Sequence, residues 1–130
     1  GNTALTMNTT GSSNTTTGNN ALEANTIGDN NTAYGQAALS DNTVGASNTA
    51  IGFEALKDNT VGVSNTANGS SALKDNTTGS FNTAIGYDSG IGITTGSGNT
   101  VLGANVTGLT AGLTNNIILV ITYMLWVHVE

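Results

Sequence analysis

The chain has 130 residues, enough for one domain, and sets eight acidic side chains against two lysines and no arginine, a net charge of −6. So few cations exclude a nucleic-acid partner, whose phosphates need neutralising, and the absence of cysteine excludes disulfides and thiolate metal sites. Charged residues make up 8% of the chain, and 19 Asn, 23 Thr and 18 Gly stand in their place.

Short segments that begin Asn-Thr and end in Gly recur on a fixed beat of 17 residues. One set starts at Asn31, Asn48, Asn65, Asn82 and Asn99, with a weaker member at Asn14. An offset set starts at Asn8, Asn25, Asn42, Asn59 and Asn76. The unit reads N-T-A-x-G-x-x-A-L-x-x-N-T-x-G-x-x, and Asn48 to Ser64 is its clearest copy. A disordered chain of this composition has no reason to hold Leu at fixed intervals. A constant short period describes a chain winding about an axis, one coil per repeat. The predicted class is all-β, a parallel β-solenoid or β-roll with 17-residue coils over residues 1–115, then an apolar terminal segment over 116–130. Gly1 falls inside a repeat, so the chain is expected to be a mature or trimmed piece of something longer.

Each unit opens with a predicted strand, Asn-Thr-Ala-x. Neighbouring strand residues point to opposite faces, so Ala50, Ala67 and Ala84 are expected inside, and Tyr34, Ile51, Ile85 and Leu102 outside. Asn68 interrupts the outer file, and an unpaired amide suits a single-chain core poorly. That file is therefore read as an interchain ladder or a partly wet surface. A Gly corner follows at Gly35, Gly52, Gly69 and Gly86, and a second recurs at Gly11, Gly28, Gly45, Gly62, Gly79 and Gly96. Both corners are expected to take positive φ and to leave no room for a Cβ. Gly at this spacing also rules out a helix. Next comes Ala-Leu, and Leu22, Leu39, Leu56 and Leu73 complete the predicted core ladder. Each buried Leu contributes roughly 1.5–3 kcal/mol, so stability must be cooperative along the stack. The acidic file Asp41, Asp58 and Asp75 follows. It is read as a solvated edge softened by Lys57 and Lys74, with a bridging hard cation as the alternative. The Asn and Thr files are expected to form amide and hydroxyl ladders at about 4.8 Å spacing.

Asn48-Thr-Ala-Ile-Gly52 and Asn82-Thr-Ala-Ile-Gly86, each followed by small residues and a second Gly, resemble the repeats of trimeric autotransporter adhesin heads. Similar repeats occur in phage tail fibres and other surface fibres, and the resemblance spans roughly residues 8–108. It implies a left-handed parallel β-roll, three chains packed side by side, and an elongated extracellular module for attachment or spacing. The unit of 17 residues is longer than the family's usual head repeat, so each coil needs an extra loop or a longer side.

The beat weakens after Gly86, where Asp88-Ser89-Gly90 replaces the Ala-Leu pair and Ile93 stands in place of Asn. Asn99 and Asn116 still fall on it. The last stretch, Ile117 to Val129, is too short for a membrane-spanning helix, which needs about 20 residues. It is expected to cap the open end or dock into a neighbouring subunit. No catalytic site is predicted. His128 has no second His or Cys, the Gly pairs lack the Lys of a phosphate loop, and no cofactor is implied.

The expected function is therefore a non-enzymatic fibre or adhesin head segment on a bacterial surface or phage. Its expected partners are copies of itself and a host-cell or matrix receptor. One alternative is a self-assembling extracellular filament. Another is an ice-binding solenoid, suggested by the file Thr9, Thr26, Thr43, Thr60, Thr77 and Thr94, although only Thr15-Thr16-Thr17 offers a Thr-x-Thr strand.

Overall fold

The computed structural model describes residues 1–121. Its strands are β1 (Thr15–Thr17), β2 (Thr32–Tyr34), β3 (Thr49–Ile51), β4 (Thr66–Asn68), β5 (Thr83–Ile85), β6 (Thr100–Leu102) and β7 (Ile117–Leu119). They form one parallel sheet of seven strands in chain order. Every pair is offset by one repeat, so Thr32 lies against Thr49 and Ala50 against Ala67. There is no helix among the described residues. The chain is a parallel β-solenoid with 17-residue coils.

Each strand is short because the next residue turns sharply. Gly18, Gly35, Gly52, Gly69, Gly86 and Gly103 have φ between 129° and 140°, which side chains rarely adopt. The second Gly file departs from expectation. Gly28, Gly45 and Gly62 do not take positive φ. They are glycine because the coils touch there, and a Cβ on Gly45 would fall 2.6 Å from the Gly62 carbonyl oxygen. The left-handed residue of that corner comes two positions later, at Asn30, Ser47, Ser64 and Phe81.

Leu22, Leu39, Leu56 and Leu73 are fully buried in register, with Ala21, Ala38, Ala55 and Ala72 beside them. All four leucines are left-handed, with φ of 50–53°. That conformation costs roughly 1–2 kcal/mol per residue. Burying Leu returns roughly 1.5–3 kcal/mol, so the side chain outweighs the backbone.

The strand alanines Ala33, Ala50, Ala67 and Ala84 are buried opposite the leucines, and much of what remains of the core is polar. Asn25, Asn42, Asn59 and Asn76 are buried in one file, each Nδ2 donating at 2.8 Å to the Oδ1 one coil back. The other Nδ2 proton goes to the glycine carbonyl three residues on, as from Asn42 to Gly45 at 2.9 Å. Asn31, Asn48, Asn65, Asn82 and Asn99 form a second buried file at the strand entrance. There Asn48 donates both its backbone N (3.0 Å) and Nδ2 (3.2 Å) to Asn31 Oδ1. Its Nδ2 also reaches the Gly62 carbonyl at 2.8 Å. Buried amides are tolerable when their groups are bonded, and these files meet that demand at nearly every rung.

The irregular coil after Gly86 compensates within itself. Gly90 replaces Leu with φ of 82°, and a Cβ there would meet Leu73 Cδ2 at 2.9 Å. Ile93 takes the neighbouring Asn position and is fully buried. Winding continues through β7. The remainder of the Ile117–Val129 stretch, including His128, lies outside the described residues.

Candidate interaction surface

The strand residues that face outward are Thr32, Thr49, Thr66, Thr83 and Thr100 in one file, and Tyr34, Ile51, Asn68, Ile85 and Leu102 in the other. Ala50 is fully buried while Ile51, its neighbour, is 40% exposed. Tyr34, Ile85 and Leu102 are likewise exposed. Phe53 and Tyr87, just past the Gly corner, extend the same surface.

Sequence reasoning missed a second exposed apolar file, Ile27, Val44 and Val61, on the side that carries Thr26, Thr43 and Thr60. The available signal was the residue before the second Gly, which is β-branched in each of these coils. Asn31 Nδ2 bonds the Gly45 carbonyl at 2.8 Å, and Asn65 Nδ2 bonds the Gly79 carbonyl at the same distance. The strand side and the Val44 side therefore flank one tight corner, at Asp29–Asn30, Ala46–Ser47 and Val63–Ser64.

Charge is segregated. Glu23, Asp41, Glu54, Lys57, Asp58, Lys74, Asp75 and Asp88 all fall between two and six residues after a corner glycine. Among the described residues only Asp29 lies elsewhere. It accepts from Ser12 N at 2.6 Å and Ser12 Oγ at 2.9 Å. The backbone bond first, then the hydroxyl, holds its carboxyl below the usual range. The two apolar files carry no charge.

The acidic file Asp41, Asp58 and Asp75 follows the corner glycines down one edge of the coils. Among the described residues no three acidic or histidine groups converge to hold a metal ion. Asp41 Oδ1 accepts from Ser40 Oγ at 2.9 Å, Asp58 Oδ1 pairs with Lys57 at 3.1 Å, and Asp75 Oδ2 accepts from Gly92 N at 3.1 Å. Each carboxylate is engaged by its own coil or the next. Lys74 serves Glu54 instead, at 2.6 Å. These acidic partners raise both lysines above the ordinary ammonium range, through the hydrogen bonds first.

The Thr files differ in their commitments. Thr9, Thr26, Thr43, Thr60 and Thr77 donate their hydroxyls to the Thr carbonyl of the next coil, at 2.8–3.1 Å. The strand hydroxyls of Thr32, Thr49, Thr66, Thr83 and Thr100 face outward without such bonds. No helix among the described residues is long and apolar enough to cross a membrane. Comparison with protein-family models, curated proteins and solved structures finds no match for this chain.

Proposed function

We propose that this chain is a non-enzymatic segment of an extracellular fibre or adhesin head on a bacterial or phage surface. Its role is to extend, and to hold, through copies of itself packed side by side. The observation that supports this is the outer strand file, exposed and apolar but for Asn68, along a sheet from which charge is absent. Interface centres are more apolar than the rest of the surface, depleted of charge and enriched in aromatic residues. The resemblance to adhesin-head repeats points to three copies and a left-handed coil. A host-cell or matrix receptor is the outside partner of such a rod. Sedimentation at micromolar concentration tests the reading. A trimer is expected, and a clean monomer overturns it.

A second reading, ice binding, is favoured by the outward hydroxyls of Thr32, Thr49, Thr66, Thr83 and Thr100. The file Thr9 to Thr77 is less suited, since its hydroxyls are spent on backbone carbonyls. A thermal-hysteresis measurement decides it, and no effect at high concentration removes it.

A further inference from the structure

We infer that Asn68 is the chain's site of spontaneous deamidation, and that the pairing of its strand sets the rate. The reaction needs a side-chain amide free to move and a following backbone nitrogen that nothing crowds. Most of the 19 asparagines precede Thr, whose branched Cβ crowds that nitrogen, and all but one of the rest precede Asn, Ala, Val or Ile. Only Asn68 precedes Gly. Burial separates it again. Asn42, for example, is buried with its Nδ2 bonded to Asn25 and to the Gly45 carbonyl. Asn68 is exposed, and among the described residues its amide has no hydrogen-bond partner.

The fold itself creates the reactive pair. Gly69 has φ of 139°, and a Cβ on it would strike the Gly86 carbonyl, so the corner after the strand must be glycine. Other coils place Tyr34, Ile51, Ile85 or Leu102 before that corner. Asn68 alone brings an amide to it.

In the reaction the Gly69 nitrogen loses its proton to solvent base and attacks Asn68 Cγ. The new C–N bond closes a succinimide ring as the Cγ–Nδ2 bond breaks and ammonia leaves. Water then opens the ring at either carbonyl. One product is aspartate, the other isoaspartate, whose main chain runs through Cβ. In the folded chain the attacking nitrogen is engaged, since Gly69 N donates to the Ile51 carbonyl at 2.8 Å. On the other side Gly86 N donates to the Asn68 carbonyl at 2.8 Å. Ring closure also turns ψ of Asn68 away from its extended value. Reaction therefore waits on local opening of β4, an interior strand of the sheet. Either product places a carboxylate between Ile51 and Ile85, in a file that carries no charge. A consequence for assembly rests on the packing proposed above, because an unpaired charge opposes burial there. The chemistry does not rest on it.

The test incubates the full chain at mildly alkaline pH, native and in denaturant, with peptide mass mapping and enzymatic detection of isoaspartate. Conversion is expected at Asn68 ahead of every other asparagine. It should be slower in the native chain by about tenfold or more, the factor by which opening is disfavoured. Asn68→Ile, which supplies the residue of the adjoining coils, should abolish that conversion and keep the β-rich spectrum. Conversion led by another asparagine, or unchanged in Asn68→Ile, overturns the assignment. Equal native and denatured rates overturn the control by strand pairing. Sedimentation of Asn68→Asp separates the consequence from the chemistry, with loss of the wild-type assembly expected. Assembly that persists in Asn68→Asp overturns the consequence alone, and a monomeric wild type overturns the packing beneath it, whatever the mapping shows.

Discussion

Ile93 stands one coil beyond Asn76, and the inner file of amides ends between them. Asn76 Nδ2 donates to Asn59 at 2.8 Å, but its own Oδ1 is buried without a partner. In every earlier coil an asparagine supplies that donor. The same coil has exchanged Leu for Gly90, so apolar volume has moved three residues along and the amide has been displaced by it.

The exchange predicts a coupling. Ile93→Asn alone completes the ladder but empties the core, and Gly90→Leu alone overpacks against Leu73, so both should destabilise by about 1–3 kcal/mol. Together they restore the regular unit. The double variant should be more stable than either single one, with a favourable coupling of about 0.5–3 kcal/mol in a urea double-mutant cycle. Simple additivity would show that the two positions do not compensate.

Asparagine in the core should matter more than asparagine on the surface. Asn48→Ala strands the Asn65 backbone N–H and takes from the Gly62 carbonyl one of its two amide donors, leaving Asn59 Nδ2, and should cost about 1–3 kcal/mol. Asn68→Ala, on the exposed strand file, should stay within about 0.5 kcal/mol. Equal losses in chemical denaturation would mean the ladders do not hold the coil together.

Close approach and backbone strain can be separated with two alanines. Gly45→Ala meets the next coil's carbonyl although its φ is ordinary, and should unfold at least that region. Gly108→Ala has φ of 69° but nothing within 4 Å of the added carbon. It should cost only the left-handed penalty, about 1–2 kcal/mol. Thermal melts rank the pair, and the reverse order would contradict the contact geometry.

Stability should fall at both ends of the pH scale. Asp29 is lowered, so its contribution is present above the unfolded carboxylate value, about 3.9, and is lost as pH falls through its depressed folded value. Lys57 and Lys74 are raised, so theirs is present below about 10.4 and lost as pH rises through their folded values. Asp29→Asn should flatten the acid arm of a melting-temperature profile, and Lys74→Gln the alkaline arm. Both effects are small because the groups are exposed.

The winding was legible because a repeat of fixed length leaves one way to superpose Leu on Leu and Ala on Ala. Ile51 beside Ala50 gave away the two-sided strand for the same reason. The same superposition led to the expectation of amide ladders, but not to the full burial of Asn25 and Asn48: in a local window an amide reads as a turn former, and only the stacked neighbour one coil away satisfies it inside. Leu56 in a left-handed turn could not be foreseen either, since its local preference opposes the conformation that its burial enforces. Val44 was present in the sequence as a β-branched residue before Gly, but its exposure depends on how the corner folds.

In the inner asparagine file each Nδ2, and in the strand-entrance file each backbone N–H, donates to the amide oxygen one coil toward the N-terminus, so each coil presents the same sockets above and the same plugs below. Inserting or deleting a complete unit between Asn31 and Asn82 therefore introduces no junction that the molecule does not already contain. Evolution or an engineer can lengthen this object by increments of about 4.8 Å, and its reach becomes a matter of counting.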